Sequence, residues 1–409
     1  MLSRLTRRPA SPTAPPFPRA FWVLFAGTLV NRLGLVVLPF LTLYLTGVKG
    51  YSVEAATLVV SLHGAGGFVA GFAGGAMADR FGRKTVLVGS LLGGGALFAI
   101  LPEVEAYVSL AAMMAGAGLV GEAYRPAVSA AVSDVVDPGR QARAFALIYW
   151  AINVGAAVGP AMGGLLAESV GYRALFWVDA VTMVGFALVV ALGVPETKPA
   201  ALPVATPASA PRRRHLGEAL RDPALVGITL ASLCIGTAFM QAFTTLPLVM
   251  AADGLGESDF GWTVAVNGAV VVALSLPVAR WAENRIGPVL LAGAAALIGI
   301  GLGTHALVDT LAGHMLAAVI WSVGEIAFLP IVPVVVARLA PEALRGTYQG
   351  VSQAGWGLAH MTGPVLGGLV LARLGDAALW GCALALSLVA ALGVLLFRLG
   401  TDRREAGHE

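Results

Sequence analysis

The chain has 409 residues, of which 57% are hydrophobic and only 12% charged, whereas soluble domains carry about 25% charged residues. That balance excludes a soluble globular protein. The formal net charge of +3 is small, so its distribution along the chain matters more than its sum. Cys234 and Cys382 both fall in apolar runs and read as buried small apolar residues. They offer neither a disulfide framework nor a CxxC metal pattern. No P-loop, dinucleotide fingerprint or HExxH is present, so no enzyme chemistry, cofactor or metal is expected, and no nucleic-acid partner.

Residues 1–18 hold Arg4, Arg7, Arg8 and five prolines and read as a basic tail. The apolar run that follows is about 25 residues long without a small-residue cleavage site, so it reads as a retained spanning helix rather than a signal peptide. Windows long and apolar enough to span a bilayer recur twelve times, over 20–45, 54–78, 84–102, 107–133, 141–168, 174–194, 223–251, 259–280, 288–307, 312–338, 345–371 and 376–398. The pattern predicts an all-α integral membrane protein with two six-helix bundles, 19–194 and 223–398, and a terminal tail over 399–409. The Pro-, Ala- and Arg-rich segment 195–222 between the bundles has no periodic apolar face and reads as a linker.

The basic residues predict orientation. Of 26 lysines and arginines, 21 fall in segments on one side; Lys49, Arg173 and Arg373 fall on the other, and Arg32 and Arg125 lie within spans. Positive charge marks the cytosolic side, so both termini are expected there.

The two bundles read as repeats. Gly159-Pro160-x-x-Gly163-Gly164 recurs as Gly363-Pro364-x-x-Gly367-Gly368, and Val120-Gly121-Glu122 recurs as Val323-Gly324-Glu325, offsets of 204 and 203. Asp79 falls on Glu283. An even number of spans per repeat gives both halves one orientation, and transporters built this way bind substrate near the midplane between halves.

One segment breaks the apolar rule. Leu119–Ser133 carries Glu122 and Arg125 on one helical face, with Ser129 and Ser133 continuing it and Pro126 removing a backbone donor. Charges at that depth are costly and face a bundle interior or a watery cavity. Two readings stand: a self-neutralising pair that ties helices together, or a polar site in a transport pathway.

Gly75-Ala-Met-Ala-Asp79-Arg80-Phe81-Gly82-Arg83-Lys84 joins the second and third spans. It resembles the signature loop of the major facilitator superfamily, G-x-x-x-D-R-x-G-R-K, at every defining position, and Ala282–Gly287 resembles its degraded second copy. The resemblance covers the whole chain and implies that superfamily's fold and alternating-access transport. By the same resemblance, Asp79 meets the start of span eleven at Arg345 when the cytosolic side closes, with Asp134 and Arg143 in the same network. Physically, an acid at a helix end facing bases forms a charge-assisted latch; alternatively the basic residues only enforce topology. Gly155-x-x-x-Gly159-Pro160-x-x-Gly163-Gly164 resembles the motif of drug:proton antiporters, although tight packing within one bundle also explains its glycines. The family's span-four motif places a glutamine after its arginine; here Arg125 follows Gly118, Gly121 and Glu122 without one. A proton-transfer role for Arg125 is therefore only suggested.

Other polar and aromatic residues converge at similar depth: Asn31 and Arg32; Tyr149, Trp150 and Asn153; Asp179; Gln241 and Phe243; Trp321 and Glu325; and on one face of span eleven Gln349, Gln353, Trp356 and His360. Mixed aromatics with few polar groups suit a cavity for amphipathic organic molecules. Glu122, Glu325 and Asp179 are the candidate proton carriers. Glu122 has Arg125 one turn away, so Glu325 and Asp179 rank as equal or better. The expectation is a monomeric transporter of the bacterial inner membrane that exports lipophilic or amphipathic drugs in exchange for protons. The alternatives are a proton-coupled importer of a small metabolite or peptide, whose zwitterion or anion Glu122 and Arg125 clasp, and a non-transporting membrane sensor.

Overall fold

The structure is a computed structural model that describes residues 17–197, 216–282, 285–341 and 344–405. The basic tail through residue 16, most of the linker, Glu283 and residues 406–409 lie outside the described residues. The first half contains α1 (Arg19–Leu33), α2 (Val37–Leu43), α3 (Val53–Phe81), α4 (Arg83–Ile100), α5 (Tyr107–Gly121), α6 (Tyr124–Val135), α7 (Gln141–Ser169) and α8 (Tyr172–Gly193). The second contains α9 (Pro223–Thr244), α10 (Leu246–Ala252), α11 (Glu257–Ala282), α12 (Pro288–Thr304), α13 (Leu311–Phe328), α14 (Ile331–Leu339), α15 (Arg345–Leu374) and α16 (Asp376–Glu405).

Among the described residues, ten helical stretches are long and apolar enough to cross a membrane. The expected spans over 107–133 and 345–371 are helical but fall outside that ten. The first is split between α5 and α6, and the second is made less apolar by Gln349, Gln353 and His360. Large apolar side chains such as Leu192, Leu276 and Val108 stand on the outer surface, as in a protein whose solvent is lipid. Cys382 is also exposed, not buried as its apolar run suggests, and Cys234 is partly buried.

Four spans read as continuous in the sequence are broken at equivalent places: α1/α2 and α5/α6 in one half, α9/α10 and α13/α14 in the other. Proline explains three of the breaks. Without an N–H on Pro126, the Glu122 carbonyl is taken instead by Arg125 N at 3.2 Å. Pro247 and Pro330 likewise remove donors at the start of α10 and just before α14.

The halves meet through α3 against α15 and α7 against α11. Along the first seam Thr57 abuts Gly368, the Ser61 hydroxyl accepts from Val365 N at 2.9 Å, Gly64 sits on the His360 carbonyl and Phe68 covers Gly357. Beyond Phe68, nothing lies within 4 Å of where a side chain would start at Gly71, Gly75, Gly346 or Gly350. The second seam is closed in the same direction, where Gly164 touches the backbone of Glu257 and Gly261 touches the Pro160 carbonyl. Tyr172 Oη donates to Glu257 Oε1 at 2.8 Å there. The halves are therefore in contact at the Tyr172 end and parted at the Asp79 end.

Candidate functional site

The signature loop folds around Arg83, which is buried despite its charge. Gly82, at φ 100°, ends α3 and reverses the chain into α4. Arg83 Nη2 pairs with Asp79 at 2.9 Å, its Nε with Asp134 at 3.0 Å, and its Nη1 donates to the Ala78 carbonyl at 3.2 Å. Arg83, rather than Arg80 or Lys84, is thus the hub. Arg80 lies over the Phe81 ring and Arg143 over Phe17. Arg345 is exposed, and its expected partner Asp79 pairs with Arg83 within the loop, in keeping with the parted seam.

A residue outside the expected set completes this loop. The Glu196 carboxylate accepts from Lys84 N, Thr85 N and the Thr85 hydroxyl, each at 3.3 Å, capping α4. Burial alone would raise its carboxyl, but those backbone donors hold it below the usual carboxylate range. It also fills the space beside Gly82 where a side chain would go. A lone acid at the head of a linker carries no pattern that marks it in advance.

The antiporter-like glycines divide by role. Gly155, Gly159 and Gly163 pack against Arg32, Leu33 and Val36 at the α1/α2 break, inside their own half. Gly164 instead crosses to the other half, and so does its repeat counterpart Gly368. Pro160 contributes its carbonyl to the same crossing.

Asp179 occupies a defined structural position. Its two carboxylate oxygens accept from Val36 N at 3.1 Å and Val37 N at 3.2 Å, across from α8 to the N-terminus of α2. The broken helix leaves orphan donors, and a carboxylate is the group that best meets them. Gln241 does related work at the α9/α10 break: it donates to the carbonyls of Thr237 and Gly363 and accepts from the hydroxyls of Thr244 and Thr245.

The repeat-related glutamates have different surroundings. Glu122 forms an ion pair with Arg125, whose side chain is 51% exposed. Arg32, His63 and His360 act electrostatically on the same carboxylate, so the second half contributes to this cluster through α15. Glu325 accepts instead from Asn267 Nδ2 at 2.7 Å, and that amide also donates to the Ser322 hydroxyl. Among the described residues Glu325 forms no ion pair. Asn267 was legible as a lone amide inside an apolar run, but nothing in its spacing ties it to Glu325.

Two crevices flank these groups. One is lined by Asn31, His63, Glu122, Tyr124 and Asp179. The other, larger, is lined by Phe328, Val332, Gln349, Ser352, Gln353 and Trp356. Phe239, unmarked in the sequence, is the centre of an aromatic cluster with Phe243, Trp321 and Trp356 at centroid distances of 5.5, 5.3 and 5.9 Å. Trp321 is buried there. Tyr149 and Trp150 are exposed on α7, where Trp150 stacks on Phe25 and Asn153 donates to the Tyr149 carbonyl.

Two helical bundles that meet along two seams, in contact at the Tyr172 end and parted at the Asp79 end, have the form of a membrane transporter fold. The family profile of the Major Facilitator Superfamily matches residues 24–359 and 258–409. The chain belongs to that superfamily, and it is a multi-pass membrane transporter and not an enzyme. It is 27% identical over 350 residues to the multidrug resistance protein MdtH of Aeromonas hydrophila, covering 85% of this chain and 86% of that one. It is 24% identical over 364 residues to a Na(+), Li(+), K(+)/H(+) antiporter of Planococcus maritimus, covering 81% and 84%. A crystal structure of the peptide transporter POT in complex with sulfate superposes with a TM-score of 0.78 at 19% identity, covering 94% and 95% of the two chains, a likeness of fold alone.

Proposed function

We propose that the protein is a twelve-span, proton-coupled exporter of lipophilic or amphipathic organic molecules in a bacterial inner membrane. The Asp79 end faces the cytosol, as the basic residues there favour, and the present state is open to that side. Alternation with a state closed around Asp79 and Arg345 and open at the Tyr172 end then moves substrate across.

The observation that carries the reading is Glu325: a carboxylate inside a spanning helix, hydrogen-bonded to Asn267 but without a cationic partner among the described residues. An acid held at that depth without a counter-charge is costly when ionised and marks a proton path. Glu122, neutralised by Arg125, is the weaker carrier, and Asp179 is committed to the α2 N-terminus. The similarity to MdtH and to a cation/H(+) antiporter supports export by exchange. A proton-coupled importer is the second reading, supported by the charged pair in the cavity, which suits a zwitterion.

The test uses purified protein in proteoliposomes with an internal pH dye and a panel of lipophilic cations, aromatic carboxylates and zwitterionic metabolites added on each side. Proton movement opposite to the compound supports the exporter. Proton movement with the compound establishes the importer instead.

A further inference from the structure

We infer that the substrate of this cavity carries a negatively charged head, a carboxylate on an apolar body, held by Arg32 and Arg125; the inference rests on the transport reading above. It starts from the charges around Glu122. Arg125 is paired with Glu122 yet keeps half its side chain exposed. Arg32, partly buried on α1, forms no ion pair among the described residues, and its Nε is buried without a partner. Its guanidinium approaches the Tyr124 ring at 5.9 Å and acts electrostatically on both Glu122 and Arg125.

Two guanidiniums thus lie beside Glu122, and Arg32 has no carboxylate of its own among the described residues. An unpaired guanidinium at membrane depth is costly unless a ligand meets it. The other groups facing this cluster do not pair with it. His63 on α3 and His360 on α15 are neutral or positive in any protonation state. Asp179 lines the same crevice, but its carboxylate is turned to Val36 and Val37 N–H. A carboxylate is the natural complement of a guanidinium, which can present two parallel N–H donors to it. The apolar body has its own wall in the second half, where Phe328, Val332 and Trp356 line the larger crevice.

The assignment has a consequence for coupling. A proton on Glu122 removes the negative charge paired with Arg125 and so favours an anionic substrate. Exchange of proton for substrate therefore runs through the conformational state of the two halves rather than through direct competition at Glu122.

The test is equilibrium binding to the purified full-length protein in detergent with three probes of one shape: 1-naphthylacetate, its neutral amide, and a naphthylmethyl trimethylammonium cation. Inorganic phosphate serves as competitor. The carboxylate is expected to bind at least tenfold tighter than the amide, with the cation weaker still and phosphate unable to displace it. Arg32→Gln loses at least tenfold in carboxylate affinity, while Arg32→Lys, which keeps the charge, loses only a few-fold. Glu122→Gln tightens carboxylate binding. Preference for the cation, weaker carboxylate binding in Glu122→Gln, or full displacement by phosphate overturns the inference. Because no gradient is involved, failure here is separable from failure of proton coupling: a cation exchanged for protons sinks this inference alone, and a bound carboxylate that moves without protons sinks the proposed function alone.

Discussion

Glu325 on α13 accepts a 2.7 Å hydrogen bond from Asn267 on α11, a contact that joins two spans of the second half around an intramembrane acid. Its repeat counterpart Glu122 has Arg125 in that role. The two halves place an acid at corresponding positions with different partners, so the two positions are not equivalent. Asn267→Ala removes the only donor that Glu325 has among the described residues and leaves the Ser322 hydroxyl without this partner as well. A buried polar group left unmet costs about 1–3 kcal/mol. Thermal unfolding in detergent should show a loss of that size, with the fold retained.

Asp179→Ala is expected to destabilise the protein by about 2 kcal/mol, since a cap is worth about 1 kcal/mol and this one meets two donors with a charged group. Asp179→Asn, which keeps one acceptor oxygen, should lose about half as much. Unfolding in detergent measures both. Proton-driven transport that vanishes in Asp179→Asn with no loss of stability would show that the residue carries protons rather than holding α2.

Glu196 predicts a pH dependence. Its carboxyl sits below the ordinary value of 4.5, so around that pH the folded chain binds fewer protons there than the unfolded chain. The cap therefore stabilises in full above pH 4.5 and is lost as pH falls through the lowered value. Wild type should unfold at a higher temperature than Glu196→Gln at pH 7, and the difference should shrink as the pH falls below the ordinary value of 4.5. A difference that grows in acid contradicts the assignment.

Much of this arrangement is legible in the residues alone. Apolar windows mark the spans, and the offsets of 203 and 204 mark the repeat, because both are one-dimensional patterns. The Asp79–Lys84 loop is legible for the same reason. The break at α1/α2 is not, because hydropathy averages over it and its stabilising partner lies far away in sequence. Asp179 is the clearest case: as a letter it is an acid in a span, and only the fold brings it to Val36 and Val37. The antiporter-like glycines show the same limit. Their spacing predicts close packing but does not say that Gly164 packs across the seam while Gly155 does not.

That division makes a prediction for the seam. A side chain at Gly164 would start 2.5 Å from the Glu257 carbonyl, backbone that cannot yield cheaply. Gly164→Val should therefore disfavour the state seen here and hold the Tyr172 end apart. In everted vesicles its transport should fall at least tenfold with protein level near wild type.

The central claim is that Glu325 carries the coupling proton, and the most direct measurement compares two modes of transport in proteoliposomes for the compound that gives the largest signal. Under an imposed pH gradient, wild type and Asp179→Asn should accumulate it, and Glu325→Gln should accumulate none. With no gradient and compound on both sides, Glu325→Gln should still exchange it at a rate within a few-fold of wild type, because the cavity and both seams are intact. Accumulation by Glu325→Gln at the wild-type level would contradict the account and return the proton to Glu122.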